Sequence, residues 1–183
     1  MILFLDFDGV LHHENVTVKP TTMLDLKEHE SRFIRRDGQL VEGENLFEHA
    51  DRLALALEPF PDVRIVITST WRLHFDLDAL QRFLPHALAD RVIGITPKIF
   101  SWDGVCQRSR EIDAYLQNNN RSDESWVALD DHEWRFSYRA GPQLILCNGE
   151  EGFTEAVAVV FCQRLRDFQE APAASREESD NAN

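Results

Sequence analysis

The chain has 183 residues and a formal net charge of −13, and its arginines outnumber its lysines by 16 to 3. This length predicts one domain with a substantial core, and the acidic balance argues against bulk nucleic-acid binding, which depends on Lys and Arg neutralising phosphates. No apolar run approaches the roughly 20 residues that span a bilayer, and the three cysteines form no C-x-x-C pair, so membrane, zinc and disulfide-framework classes are disfavoured. A cytoplasmic protein is the expectation.

Short apolar runs alternate along the chain with segments of helical periodicity, which is typical of a parallel α/β sheet. Five runs are predicted as strands, at residues 2–5, 63–67, 91–95, 126–129 and 144–147. Helices are predicted at residues 46–57, 76–84, 109–116 and 157–168, with Asp76 capping the second and Pro85 ending it. The pattern predicts a doubly wound, Rossmann-like, mostly parallel sheet of about five strands.

Two segments lack this alternation. Residues 12–43 are polar and irregular, and they are predicted to form a small flap with a hairpin that turns at Asp37 and Gly38. Residues 169–183 are rich in Ala, Ser and Glu without apolar periodicity, which predicts a disordered tail. The expected organisation is therefore a single domain over residues 1–168.

Acidic residues follow two of the predicted strands. Asp6 and Asp8 come directly after the first strand, before a turn at Gly9, and Asp130 and Asp131 come after the fourth. The carboxyl ends of parallel strands meet at one edge of the sheet, where ligands bind. Carboxylates gathered there repel one another unless a cation lies between them, and Mg²⁺ prefers hard oxygen ligands. The sequence therefore predicts a Mg²⁺ site formed by these four acids.

The same acids can perform phosphoryl chemistry. A carboxylate that is not fully committed to a metal can attack phosphorus and form an acyl phosphate. A second carboxylate two residues further on can protonate the leaving oxygen and later activate water. Thr68 and Ser69, at the end of the second predicted strand, offer donors to the phosphoryl oxygens, although helix capping is the favoured interpretation when they are considered alone.

The run D-F-D-G-V-L at residues 6–11 resembles the first motif of the haloacid dehalogenase (HAD) superfamily of phosphohydrolases. Thr68 resembles the second motif, and Asp130 with Asp131 the fourth. The resemblance implies that Asp6 is nucleophile and metal ligand, and that Asp8 is the general acid and base with its backbone carbonyl on Mg²⁺. It also implies that Thr68 contacts the phosphate and that Asp130 is the main metal ligand of the fourth motif.

The third motif of that family usually supplies a Lys, and the spacing here favours an Arg. Arg108 and Arg110 precede Asp130 by 22 and 20 residues, whereas Lys98 precedes it by 32. Arg108 is favoured, then Arg110, then Lys98, because one helix and one turn should separate this cation from the fourth strand. The predicted phosphate contacts are Gly9, Thr68, Ser69, Arg108 and Arg110.

Neither gap between the motifs is long enough for a large cap domain, so an open site is expected. The T-S-T-W-R run at residues 68–72, together with the L-D-D run at 129–131, resembles capless domains associated with RNA repair. The substrate is expected to be a phosphorylated small molecule or an exposed macromolecular phosphate. A polynucleotide end phosphatase or nucleotidase, and a catalytically silent phosphate-binding domain, are alternatives.

Other polar residues near the motifs have less specific interpretations. Trp71 is expected to pack at the rim of the sheet, with Arg72 in solvent. His12, His13 and Glu14 follow the acidic turn, and a role in the flap is favoured over metal ligation because adjacent side chains point in different directions.

Overall fold

The computed structural model describes residues 1–14, 46–99 and 106–170, together with the backbone of three short strands between residues 16 and 41. Its main sheet has five strands: β1 (Ile2–Leu5), β5 (Arg64–Ile67), β6 (Val92–Ile95), β7 (Trp126–Asp130) and β8 (Leu144–Leu146). All five are parallel, and their order across the sheet is β6-β5-β1-β7-β8. The helices are α1 (Ala50–Leu57), α2 (Leu77–Arg82), α3 (His86–Ala89), α4 (Gln107–Asn118) and α5 (Glu155–Glu170).

The central strand β1 is covered on both faces. Its four residues are all buried, as its uninterrupted apolar sequence predicts. Leu3 and Leu5 pack into the core beneath α1 and α5, whereas Ile2 and Phe4 pack against α4 on the opposite face. Alternate residues of a strand point to opposite faces, so one strand contributes to both hydrophobic layers. The doubly wound α/β fold is therefore confirmed.

A second, small sheet lies in the segment predicted as a flap. It contains β2 (Val16–Thr17), β3 (Phe33–Arg35) and β4 (Leu40–Val41), all paired antiparallel. The pairing of β3 with β4 confirms the predicted hairpin, and its turn at residues 36–39 lies outside the described residues. No large cap domain occurs in the described part of the chain, as expected from the short insertions.

Several helix boundaries differ from those predicted. Asp76 caps α2 by accepting a hydrogen bond from the backbone N–H of Ala79 at 2.8 Å, as predicted. Pro85 follows this helix as predicted, and it also stands at the N-cap of α3. The last helix extends through Glu170, two residues into the predicted tail, and residues 171–183 lie outside the description. Among the described helices, none has the length and apolar character that a membrane crossing requires.

Candidate active site

The candidate site lies at the carboxyl ends of three adjacent strands. Leu5, the last residue of β1, is in register with the last residue of β5 and with the penultimate residue of β7. The residues that come next are Asp6, Thr68 and Asp130, and all three are buried. The sheet therefore brings the first, second and fourth predicted motifs together at one edge, although 62 residues separate each from the next in sequence.

Arg108, in the first turn of α4, connects the two buried acids. Its Nη2 donates to Asp6 Oδ2 at 2.7 Å, and its Nε donates to Asp130 Oδ2 at 3.0 Å. The Arg108 side chain is only 2 % exposed. Of the three candidate cations, Arg108 is thus the one that the fold places between the strand ends, where its donors are directed at carboxylates and at the backbone carbonyl of Thr68.

A second buried arginine supports this arrangement. Arg72 Nη2 lies 2.6 Å from Glu111 Oε2, and the same carboxylate oxygen lies 3.2 Å from Arg108 Nη1. Arg72 also donates to the backbone carbonyls of Thr68 and Ser69. The expectation that Arg72 would lie in solvent is therefore wrong: its planar group with five donors can satisfy several strand-end carbonyls and one carboxylate simultaneously.

Ser69 has the capping role considered for it, and its hydroxyl also helps to lower the pKa of the nearby Asp6 carboxyl. The Ser69 hydroxyl oxygen accepts a 3.4 Å hydrogen bond from the backbone N–H of Trp71. This contact caps the short 3₁₀ helix Thr70–Leu73. The hydroxyl of Ser69 is thus already committed to local contacts at the base of the site.

Asp8 is held differently from the other acids. Its carboxylate contacts Trp71 Nε1 and His12 Nε2, and 30 % of its side chain is exposed. His12, the first residue of the segment predicted as a flap, is buried directly against Asp8. Trp71 is also more than a packing residue, since its indole N–H is directed at a carboxylate.

The Asp131 carboxylate lies where a side chain at Gly9 would otherwise be. Gly9 has a φ of +69°, and a Cβ there would lie 2.2 Å from Asp131 Oδ2. A larger residue at position 9 would therefore displace the Asp131 carboxylate as well as strain the backbone. Asp131 Oδ1 lies 2.5 Å from His132 Nδ1, which fixes the carboxylate from the other side.

Two groups of ligand atoms have the spacing of a metal site. Oxygens of Asp6, Asp130 and Asp131 lie within 4.8 Å of one another, and atoms of Glu14, Asp131 and His132 do the same. Asp131 belongs to both groups. The first group is a set of hard oxygen donors, which suits Mg²⁺. The Asp8 side chain is in neither group.

The protonation tendencies of the two central acids differ. Burial raises the pKa of Asp6, but the positive charges of Arg108 and Arg135, together with hydrogen bonding from the Phe7 backbone and Ser69, outweigh burial and hold this pKa below its usual value. Burial and the negative charge of Asp6 raise the pKa of Asp130 to about 7, despite the contact with Arg108. Burial also raises the pKa of Asp131. Asp6 therefore favours its ionised form, whereas further positive charge near Asp130 would favour the ionised form of that carboxyl.

The comparison with known families agrees with this geometry. A family model described as the HAD domain in Swiss Army Knife RNA repair proteins matches residues 2–158. The chain belongs to this family. No curated protein matches it. The HAD assignment places the chain in a family of phosphohydrolases, with its motif residues at the strand ends described above.

The other two candidate cations of this HAD domain lie away from Asp6 and Asp130. Arg110 is exposed, two residues after Arg108 on α4, so it projects about 200° around the helix from it. Lys98 is exposed and lies beyond β6, at the edge of the sheet. The fold therefore does not support the predicted phosphate contact of Arg110, because a helix cannot direct both positions to one point.

Sequence reasoning did not identify Glu111, Arg72, Trp71 or His12 as site residues. A faint signal exists for Glu111, which follows Arg108 by three residues and so lies on the same face of α4. The T-S-T-W-R resemblance includes Trp71 and Arg72 but does not indicate that Arg72 is buried. The burial of Arg72 and Glu111 depends on contacts between α4 and the segments that follow β5 and β6, and only the folded chain creates these contacts.

Proposed function

We propose that this HAD domain is a Mg²⁺-dependent phosphomonoesterase that acts through an aspartyl-phosphate on Asp6. The observation that carries the proposal is the pairing of an ionised Asp6 with Arg108, within 4.8 Å of two further carboxylates. A nucleophilic carboxylate must be ionised and aimed, and the 2.7 Å contact with Arg108 does both. Asp8, which is partly exposed, is positioned to exchange protons with the substrate and with water.

The charges of the site favour a divalent cation. The carboxylates of Asp6, Glu111, Asp130 and Asp131 outnumber the guanidinium groups of Arg72 and Arg108, and all are largely buried. When bound, Mg²⁺ would supply the missing positive charge beside the phosphoryl oxygens. Asp6, Asp130 and Asp131 would hold it, with the backbone carbonyl of Asp8.

In this reaction the Asp6 carboxylate attacks phosphorus while Asp8 gives a proton to the leaving oxygen. Asp8 then removes a proton from water as that water attacks the phosphorus, which releases inorganic phosphate and restores the Asp6 carboxylate. Arg108 holds Asp6 in its orientation throughout. The direct test is phosphate release from an aryl phosphate, which should require Mg²⁺ and stop when a chelator removes it. Phosphate and metal binding without turnover would favour the catalytically silent alternative.

Metal binding can be measured without turnover. We expect Mg²⁺ at about 100 times its Kd to raise the melting temperature by roughly 5 to 10 °C at pH 8. The shift should be smaller at pH 5.5, because Asp130 carries a proton below its pKa of about 7 and metal ligands must be deprotonated. Asp130→Asn should lose the shift, whereas Asp78→Asn on the exposed face of α2 should keep it. An equal shift in both variants would contradict this site.

A polynucleotide end is a second candidate substrate, favoured by an exposed aromatic residue beside the site. The Trp134 ring is 53 % exposed, and the Arg135 guanidinium lies 5.3 Å from its centroid. Both residues line one small cavity together with Arg108. Aromatic rings and arginine planes stack on unpaired bases in a sequence-tolerant way. A contact with one terminal base remains compatible with the acidic charge that disfavours bulk nucleic-acid binding.

An oligonucleotide assay separates the two candidates. If a polynucleotide end is the substrate, kcat/KM should be higher for a terminally phosphorylated single-stranded oligonucleotide than for a small alkyl phosphate. Trp134→Ala should lower the oligonucleotide value by roughly tenfold, because one base stack contributes about 1–3 kcal/mol. The alkyl phosphate serves as the control and should be unaffected. Equal values for both substrates in the wild-type enzyme would favour a small-molecule phosphatase.

A further inference from the structure

Two side chains to which the HAD resemblance assigns no role, Trp71 and His12, contact the Asp8 carboxylate. Trp71 Nε1 donates to Asp8 Oδ1 at 3.1 Å and to Oδ2 at 3.2 Å. His12 Nε2 lies 3.1 Å from the same Oδ1. Oδ1 therefore contacts two donors, whereas Oδ2 contacts only the indole N–H, at the longer of its two distances. Of the two oxygens, Oδ2 is the freer to exchange a proton with a substrate.

Asp8 is also the most accessible acid of the site. Its side chain is 30 % exposed, whereas those of Asp6, Asp130 and Asp131 are 5 %, 1 % and 3 % exposed. A carboxylate that exchanges protons with a leaving group and with water needs this access. Access also allows a short side chain to adopt other rotamers, so its direction must be set by neighbours.

The two neighbours are themselves immobilised. His12 is completely buried, and its Nδ1 has no hydrogen-bond partner among the described residues. A carboxylate only accepts hydrogen bonds, so the imidazole proton must lie on Nε2, and the bare Nδ1 avoids a buried unpaired N–H. The Trp71 ring packs within 6.0 Å of Phe7, Phe47 and two further phenylalanines. Both donors are therefore rigid.

We infer that Trp71 and His12 are positioning residues that aim Oδ2 of Asp8 at the leaving oxygen and then at the attacking water. This inference rests on the proposed phosphatase activity. In the first step the bond from Asp6 to phosphorus forms, the bond to the leaving oxygen breaks, and that oxygen takes the Asp8 proton. In the second step Asp8 recovers a proton from water as the water oxygen bonds to phosphorus and the Asp6–phosphorus bond breaks, which releases inorganic phosphate. Both steps need the same carboxylate direction.

The test uses two substrates that differ in their need for an acid. A nitrophenyl phosphate has a good leaving group that departs without protonation, whereas an alkyl phosphate does not. Trp71→Phe keeps an aromatic ring in the cluster and removes the indole N–H. For the alkyl phosphate, kcat/KM should fall at least about tenfold, within the range of general acid contributions. For the nitrophenyl phosphate, kcat/KM should change less than about threefold, while kcat falls because water activation is impaired.

Controls separate positioning from folding and from the proposed function itself. Trp126→Phe removes an indole at the opposite end of the sheet, beside Phe4, and should leave both substrates unchanged. His12→Gln keeps a donor and should retain more alkyl phosphate turnover than His12→Leu. An equal loss of kcat/KM on both substrates in Trp71→Phe would overturn the inference while leaving the phosphatase proposal intact. A wild-type protein that hydrolyses neither substrate would overturn both.

Discussion

Asp6→Asn should abolish phosphate release, with kcat falling by at least about 10⁴-fold, because the substitution removes the nucleophile of the proposed reaction. An amide oxygen is a poor nucleophile, and it cannot form a carboxylic–phosphoric anhydride that water can readily open. Wild-type enzyme quenched during turnover should contain a hydroxylamine-sensitive phosphoryl group, and the variant should contain none. Phosphate release and phosphoenzyme content are the two measurements.

Two matched variants show whether this loss is chemical. Asp6→Glu keeps the charge opposite Arg108 but moves the carboxylate by one methylene, so its turnover should also collapse while the fold remains. Asp78→Asn makes the same change of carboxylate to amide on the exposed face of α2 and should turn over normally. Residual phosphoenzyme in Asp6→Asn would assign the nucleophile to another residue and contradict the proposed mechanism.

Arg108→Ala should be the most damaging change outside the acids, for both activity and stability. It leaves Asp6, Asp130 and Glu111 buried without the cation that contacts all three. Removing one partner of a buried ion pair costs about 3–5 kcal/mol, because the remaining charge is left uncompensated. The free energy of unfolding from denaturant titration should fall by about that amount, and aryl phosphate turnover should be lost.

The exposed cations provide the comparison. Lys98→Ala and Arg110→Ala should each change the unfolding free energy by less than about 0.5 kcal/mol and leave turnover near that of the wild type. Arg108→Lys keeps the charge but loses the planar geometry that reaches Asp6 and Asp130 together. Its free energy of unfolding should therefore be higher than that of Arg108→Ala, and its turnover should be slower than that of the wild type. A greater loss of turnover in Lys98→Ala than in Arg108→Ala would refute the role of Arg108.

The contacts around Arg108 also show how far sequence reasoning extended. The spacing of Arg108 from Asp130 was sufficient to favour it over two other cations, because one helix and one turn must fit between them. Spacing could not indicate that Glu111 and Arg72 complete the ion-pair cluster. That cluster joins residues from α4, from the 3₁₀ helix that follows β5, from the end of β1 and from β7, and it exists only once these elements are packed.

The sequence by itself determined the α/β fold class, the strands that meet at the site and the acids at their ends. Apolar runs, turn residues and motif spacing are local properties, so they can be recognised along the chain. Only the tertiary structure decided that Arg72 is buried, that Gly9 makes room for Asp131, and that Trp71 and His12 hold Asp8. Each of these contacts depends on how the folded backbone places two side chains relative to each other, in most cases side chains that are distant in sequence. Neither composition nor periodicity contains that information.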